Sequence, residues 1–268
     1  MPAVAVRSPD DPERLGGNTV LGVLGLGPFT VVYLARDRHG QIVAVKRFVL
    51  PFDAGPDPAP LVLRDAEAVR RLPVASPHLA RVVDAGLDGG AAWLARDYVD
   101  GLTLAASVSR YGPLAAPGLR TIAAGSAAAL AALHAAGARH RNLKPANVLL
   151  AAAGPVVVDA GIGRYGDPTV VLPEEILASS AYLAPEEVTG GTVTTAADVH
   201  AWGALVVFAG TGRPPFTAGW PQVLSTVLTG PPELGSLAGD LRDLAAAALA
   251  KDPAGRPTAA DLSRHLRA

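Results

Sequence analysis

The 268-residue chain contains no cysteine, which excludes disulfides and any chemistry that needs a thiolate. Net charge is nearly absent too. The 23 Lys and Arg are balanced by 24 Asp and Glu, leaving −1, so there is no basic field for a polyanion and nucleic acid is not an expected partner. No apolar run of membrane length goes uninterrupted. The closest approach, Leu119 to Ala138, carries Arg120, Gly125, Ser126 and His134, and its small residues ending at Gly137 suit a buried core helix. Met1 leads into Pro2, Ala3 and Val4 with no basic region, apolar stretch or lipidation box. The expectation is therefore a cytoplasmic domain with no membrane segment in this chain. No internal repeat is found, and a chain of this length buries roughly 70 to 75% of its unfolded surface in its core.

Residues 1–18 are rich in proline and charge and read as a mobile leader. Beyond them Val20 to Leu26, Thr30 to Arg36 and Ile42 to Val49 are β-branched runs separated by short breakers, the pattern of an antiparallel meander. The cluster PFDAGPDPAP breaks the chain, and LVLRDAEAVRRL behind it has helical spacing. Leu79 to Ala85 and Ala92 to Val99 supply two more strands. After Asp100-Gly101 the chain turns mainly helical, so the expected division is a β-rich lobe, 19–99, and a larger helical lobe, 100–268.

Seven short motifs follow one another along this frame. They are GLGPFTVV from Gly25, VAVK ending at Lys46, HRNLKPAN from His140, DAG from Asp159, APE from Ala184, ADVHAWG around Asp198, and KDPAGRP around Arg256. Gly25 and Gly27 allow a turn whose backbone amides can approach phosphate oxygens, although an ordinary hairpin uses glycine in the same way. A lone glycine-rich loop is weak evidence. Seven motifs in one order are not, and together they resemble the eukaryotic-type, or Hanks-type, Ser/Thr protein kinases of bacteria.

That resemblance implies a bilobal α+β fold, ATP and Mg²⁺ as cofactors, and a protein substrate or partner. Lys46 takes the place of the lysine on the α and β phosphates, and Val32, Ala44 and Leu149 take the places that sandwich adenine, positions that are core in either reading. Asn147 and Asp159 match the two Mg²⁺ ligands, Lys144 marks the Ser/Thr-type loop, and Glu186 and Arg256 match a buried ion pair. Asp198 matches the acid that caps the catalytic-loop backbone, and Arg141 would receive a phosphate on a hydroxyl such as Thr169, Ser179 or Ser180.

Five departures gather at the active site. Asn142 stands where the family carries its catalytic aspartate, and an amide cannot take up a proton near neutral pH. Thr30 replaces the third glycine, and Pro28 removes an amide donor. Asp65, one methylene short of the usual glutamate, is the expected partner of Lys46, with Glu67 about 200° further round the helix. Ala160 replaces a phenylalanine, which leaves volume for neighbours to fill. Arg96 falls at the gatekeeper position, where a guanidinium needs Asp65 or Asp159 as partner; a one-residue slip would put it at the surface instead. The expected function is a pseudokinase that binds ATP and Mg²⁺ and acts through protein partners. An active Ser/Thr kinase that tolerates Asn142 is the alternative.

Overall fold

Two faces of one antiparallel sheet organise the first half of the molecule. The computed structural model of the protein describes residues 4–27, 29–49, 59–162, 179–219 and 221–267. Six strands, β1 (Arg14–Leu15), β2 (Asn18–Gly27), β3 (Thr30–Arg36), β4 (Ile42–Phe48), β5 (Val82–Asp88) and β6 (Ala91–Asp97), pair in the order β1-β2-β3-β4-β6-β5. Successive strand side chains point to opposite faces, and both faces here are covered. On one side Tyr33, Ala35, Val43, Val45, Trp93 and Ala95 close over Leu15 and Val20. On the other, Phe48, Ala92 and Leu94 meet Ala59, Val62 and Ala66 of helix α1 (Ala59–Arg70).

Part of the expected leader is drawn into this lobe. Leu15 is fully buried, the Asn18 amide donates to the Leu15 carbonyl, and Ala5 bridges Val23. Burial of an aliphatic side chain is worth roughly 1.5 to 3 kcal/mol, enough to order a short segment that composition alone marks as polar. The strand expected from Leu79 starts three residues later, at Val82. Its first residues go elsewhere: Leu79 forms a parallel bridge to Val157, and Ala80 N–H donates to the Val157 carbonyl, so they belong to the seam between the two lobes.

The second half begins with β7 (Gly101–Thr103), which pairs with β8 (Val148–Ala151) and β9 (Gly154–Val157) in a small sheet. Around it run α2 (Leu104–Tyr111), α3 (Ala116–Ala135), α4 (Pro185–Val188), α5 (Thr195–Thr211), α6 (Gln222–Thr229), α7 (Gly239–Ala248) and α8 (Ala259–Arg267). Helix α3 is long and apolar enough to cross a membrane by length and composition, yet half of it is inside the protein, packed on α5 and α8. Helix α5 is buried nearly all round, its Trp202 donating Nε1–H to the Ala123 carbonyl of α3.

Two buried charges anchor this lobe. Arg256 directs all five of its N–H donors to acceptors: Nη1 and Nη2 to Glu186 at 2.7 and 2.9 Å, and the rest to the carbonyls of Ala250, Ala196 and Lys251. The expected Glu186–Arg256 pair is therefore present. Beside it His200 is fully buried and stacked on Phe216 at 5.8 Å, with neither ring nitrogen hydrogen-bonded among the described residues.

Burial, helped by the Arg256 and Lys251 cations, pushes His200 down to about 3 from its ordinary 6.5. The folded state holds this ring neutral, so its contribution is complete above the unfolded value and is lost as pH falls from 6.5 towards 3. Stability is expected to drop by about 2 kcal/mol from this group by pH ~5. Thermal unfolding across that range should lose part of its pH dependence in His200→Phe.

Candidate active site

Strand register decides what faces the cleft between the lobes. Gly25 pairs with Val32, Val32 with Lys46, and Lys46 with Leu94, while Ala44 pairs with Arg96 in the neighbouring row. Ala44, Lys46, Leu94 and Arg96 thus share the face turned towards α1, and a slip of one residue would have sent Arg96 to the opposite face. The slip does not occur. Arg96 is buried, with only 7% of its surface exposed.

Its charge is met by Asp159. Arg96 Nε lies 3.3 Å from Asp159 Oδ1 without the alignment of a hydrogen bond, so the contact is an ion pair. Lys46 Nζ donates to Asp159 Oδ2 at 2.7 Å. Each carboxylate oxygen therefore faces a cation. Burial works to raise the Asp159 carboxyl, but the charges of Lys46 and Arg96 outweigh it and hold the group well below the usual carboxylate range.

The expected pairing of Lys46 with Asp65 is replaced. Asp65, buried on α1, accepts from Arg141 Nη1 of the loop 140–147 and from Arg64 beside it. Its short side chain reaches the loop arginine, while Lys46 turns to Asp159. Arg141 has φ +69° and also donates to the Gly161 carbonyl at 3.3 Å, so the residue expected to receive a phosphate is already engaged. Thr169 lies outside the described residues. Ser179 accepts from Lys144 Nζ at 3.2 Å, and Ser180 is buried.

The volume left by Ala160 is made up two residues later. Ile162 is buried among Phe48, Val62, Ala66 and Leu94, beneath α1. Gly161 has φ +73°, and a Cβ on it would lie 2.1 Å from Val69 Cγ2 of α1, so the helix rests directly on this backbone. Neither contact was foreseen from the sequence, although an apolar residue two positions after Ala160 was the available signal.

Asp198 of α5 holds the loop 140–147 at its start. Its carboxylate accepts from the backbone N–H of His140 at 2.7 Å and of Arg141 at 2.9 Å, and His134 Nε2 lies 2.8 Å away. His140 Nδ1 accepts from Asn142 N–H, which places the ring proton on Nε2, donated to the Val158 carbonyl at 3.0 Å. Asn147 Nδ2 donates to the Asn142 carbonyl at 2.8 Å. The half-buried Asn142 side chain makes no hydrogen bond among the described residues. Beside the loop a cavity of about 320 Å³ is lined by Arg139, Arg141, Leu183, Glu187 and Asp198.

Leu149 is buried with Ala80 and Val158 on the second lobe, while Val32 and Ala44 belong to the sheet of the first, so the three come from both walls of the cleft. Space is open where a Cβ on Gly25 would stand. Mg²⁺ fits this arrangement poorly. It binds oxygen at about 2.0 to 2.1 Å, and both oxygens of Asp159 are already set against cations.

The protein kinase domain family matches residues 19–266. The chain belongs to the protein kinase family. It is 40% identical over 261 residues to a probable serine/threonine-protein kinase, PkwA, of Thermomonospora curvata, covering 96% of this chain and 35% of that protein. It is 37% identical to the serine/threonine-protein kinase AfsK of Streptomyces coelicolor, covering 96% and 32%. The solved kinase domain of Mycobacterium tuberculosis PknI superposes with a TM-score of 0.74 at 26% identity, covering 95% of this chain and 96% of that one. These relatives place the chain among bacterial Hanks-type kinases and account for its two-lobed α+β fold, and the family uses ATP and Mg²⁺ generally. The chain spans about a third of the length of those two curated relatives.

Asp159→Asn should destabilise the protein by roughly 3 to 5 kcal/mol, because it leaves the buried Arg96 and the partly buried Lys46 as uncompensated cations. In that background Arg96→Met should recover part of the loss. Urea unfolding of the single and double variants measures both effects.

Proposed function

We propose that this kinase domain, residues 19–268 with its lobes divided near residue 100, is a pseudokinase that acts by binding a protein partner in the cytoplasm. The observation that carries this reading is the amide of Asn142 at the catalytic-loop position, where proton acceptance from an attacking hydroxyl needs a carboxylate. Support comes from the electrostatics around it. Lys46 is bound to Asp159 rather than to an acid on α1, Asp65 is bound to the loop arginine, and Arg96 occupies the inner wall of the cleft. Gly25 and Gly27 would receive the phosphates with Lys46, Val32, Ala44 and Leu149 would receive the adenine, and Asn147 with Asp159 would hold any metal after Asp159 is released. Lys144 would steady the loop.

A second reading, an active Ser/Thr kinase that transfers the ATP γ-phosphate to protein hydroxyls, is favoured by one specific observation: its relatives are named as Ser/Thr kinases. Phosphoryl transfer rests mostly on positioning and electrostatics, and a general base adds typically ~10²–10⁴-fold.

The two readings separate in a radiolabelled ATP assay with generic Ser/Thr substrates. Wild-type transfer should be near background, and Asn142→Asp should gain less than the ~10²-fold lower end of a base contribution, because Asp159 stays clamped. Robust autophosphorylation that disappears in Lys46→Met would establish the active kinase. In the presence of Mg²⁺, Arg96→Thr should bind ATP more tightly than wild type by calorimetry while transfer stays low.

A further inference from the structure

We infer that the nucleotide cleft of this chain is built to hold a nucleoside triphosphate without a divalent cation, the Arg96 guanidinium supplying the positive charge that a metal would bring to Asp159. This rests on reading the cleft as a kinase nucleotide site, and concerns what neutralises the phosphates there.

A metal would have to share Asp159 with two cations that are already in place. Lys46 Nζ is 2.7 Å from Oδ2 and Arg96 Nε is 3.3 Å from Oδ1, and the aspartate is only 6% exposed. A guanidinium is a planar cation with five N–H donors and no acceptor. The Lys46, Arg96 and Asp159 group sums to one net positive charge before any ligand arrives. That sign suits an anion and repels a cation.

An independent observation points to a missing acceptor. Among the described residues the fully buried Arg96 Nη1 has no hydrogen-bond partner, and the side chain is more than nine-tenths buried. Buried donors are rarely left unpaired, because the desolvated group loses water without replacing it. The register places Arg96 on the same face as Lys46 and beside Ala44, with open space at Gly25, two strands from Lys46 and three from Arg96. A phosphate oxygen entering between the glycine strand and Lys46 would meet these donors. Planar guanidinium donors suit phosphate, and they do not need a metal to bridge them.

Metal and nucleotide are coupled ligands in a metal-dependent site, typically by about 5- to 150-fold. ATP binding is therefore measured by calorimetry on the whole chain, in EDTA and in excess Mg²⁺, for wild type, Arg96→Thr and Arg96→Met. Wild type should bind ATP at least as tightly in EDTA as in Mg²⁺, whereas both variants should gain a preference for Mg²⁺ of about 5-fold or more. The inference is overturned if wild-type binding is tighter in Mg²⁺, if wild type binds ATP in neither buffer, or if the folded variants stay indifferent to the metal. Mg²⁺-dependent binding without phosphotransfer would remove this inference alone and leave the pseudokinase reading standing.

Discussion

One buried carboxylate, Asp159, sets the arrangement of the cleft. A carboxylate removed from water must be compensated, and here the compensation comes from two directions, Lys46 on β4 and Arg96 on β6. Both strands belong to the first lobe and Asp159 to the second, so the ion cluster is also a fastening between lobes. With Lys46 committed to it, α1 cannot be held through that lysine. The helix is held by other means, and the rest of the site follows from this.

Those means are local and apolar as much as ionic. Asp65 joins Arg141, Val69 rests on Gly161, and Ile162 fills the space under the helix. Arg141 in turn owes its backbone position to Asp198, which accepts from it and from His140. Helix α5, the loop and α1 are thus connected in series, through the Arg141 backbone on one side and its guanidinium on the other. Removal of the large side chain at Ala160 has not left the region open, because a neighbour of similar volume has taken its task.

Much of this was legible in the sequence, for reasons that differ by residue. The β-branched runs from Val20 to Val49 located the sheet, whereas the face of Arg96 rested on the family motif and stayed open to a one-residue slip, because alternation alone does not fix the register between strands. The Glu186–Arg256 pair and the Asp198 contacts were legible because their motifs fix both partners. The partner of Asp65 was not. It depends on how closely α1 approaches a loop 76 positions away, and a carboxylate one methylene shorter shifts that choice from Lys46 to Arg141. Leu15 was hidden in a polar segment, where one aliphatic residue contributes little to composition but much to burial. Leu79 and Ala80 read as the start of a strand, but their backbone meets Val157 instead and the strand begins only at Val82.

That last pairing changes how the molecule would move. The chain leaves α1, crosses to the second lobe at His78 to Ala80, where it exchanges backbone hydrogen bonds with Val157 and His78 Nδ1 meets the Pro155 carbonyl, and only then returns to the sheet as β5. The C-terminal end of α1 is therefore tied to the helical lobe within a few residues, while its flank packs on the sheet. A pull between the lobes would therefore load these backbone hydrogen bonds and the Asp159 ion cluster together, two ties on opposite sides of the strand pair β5 and β6.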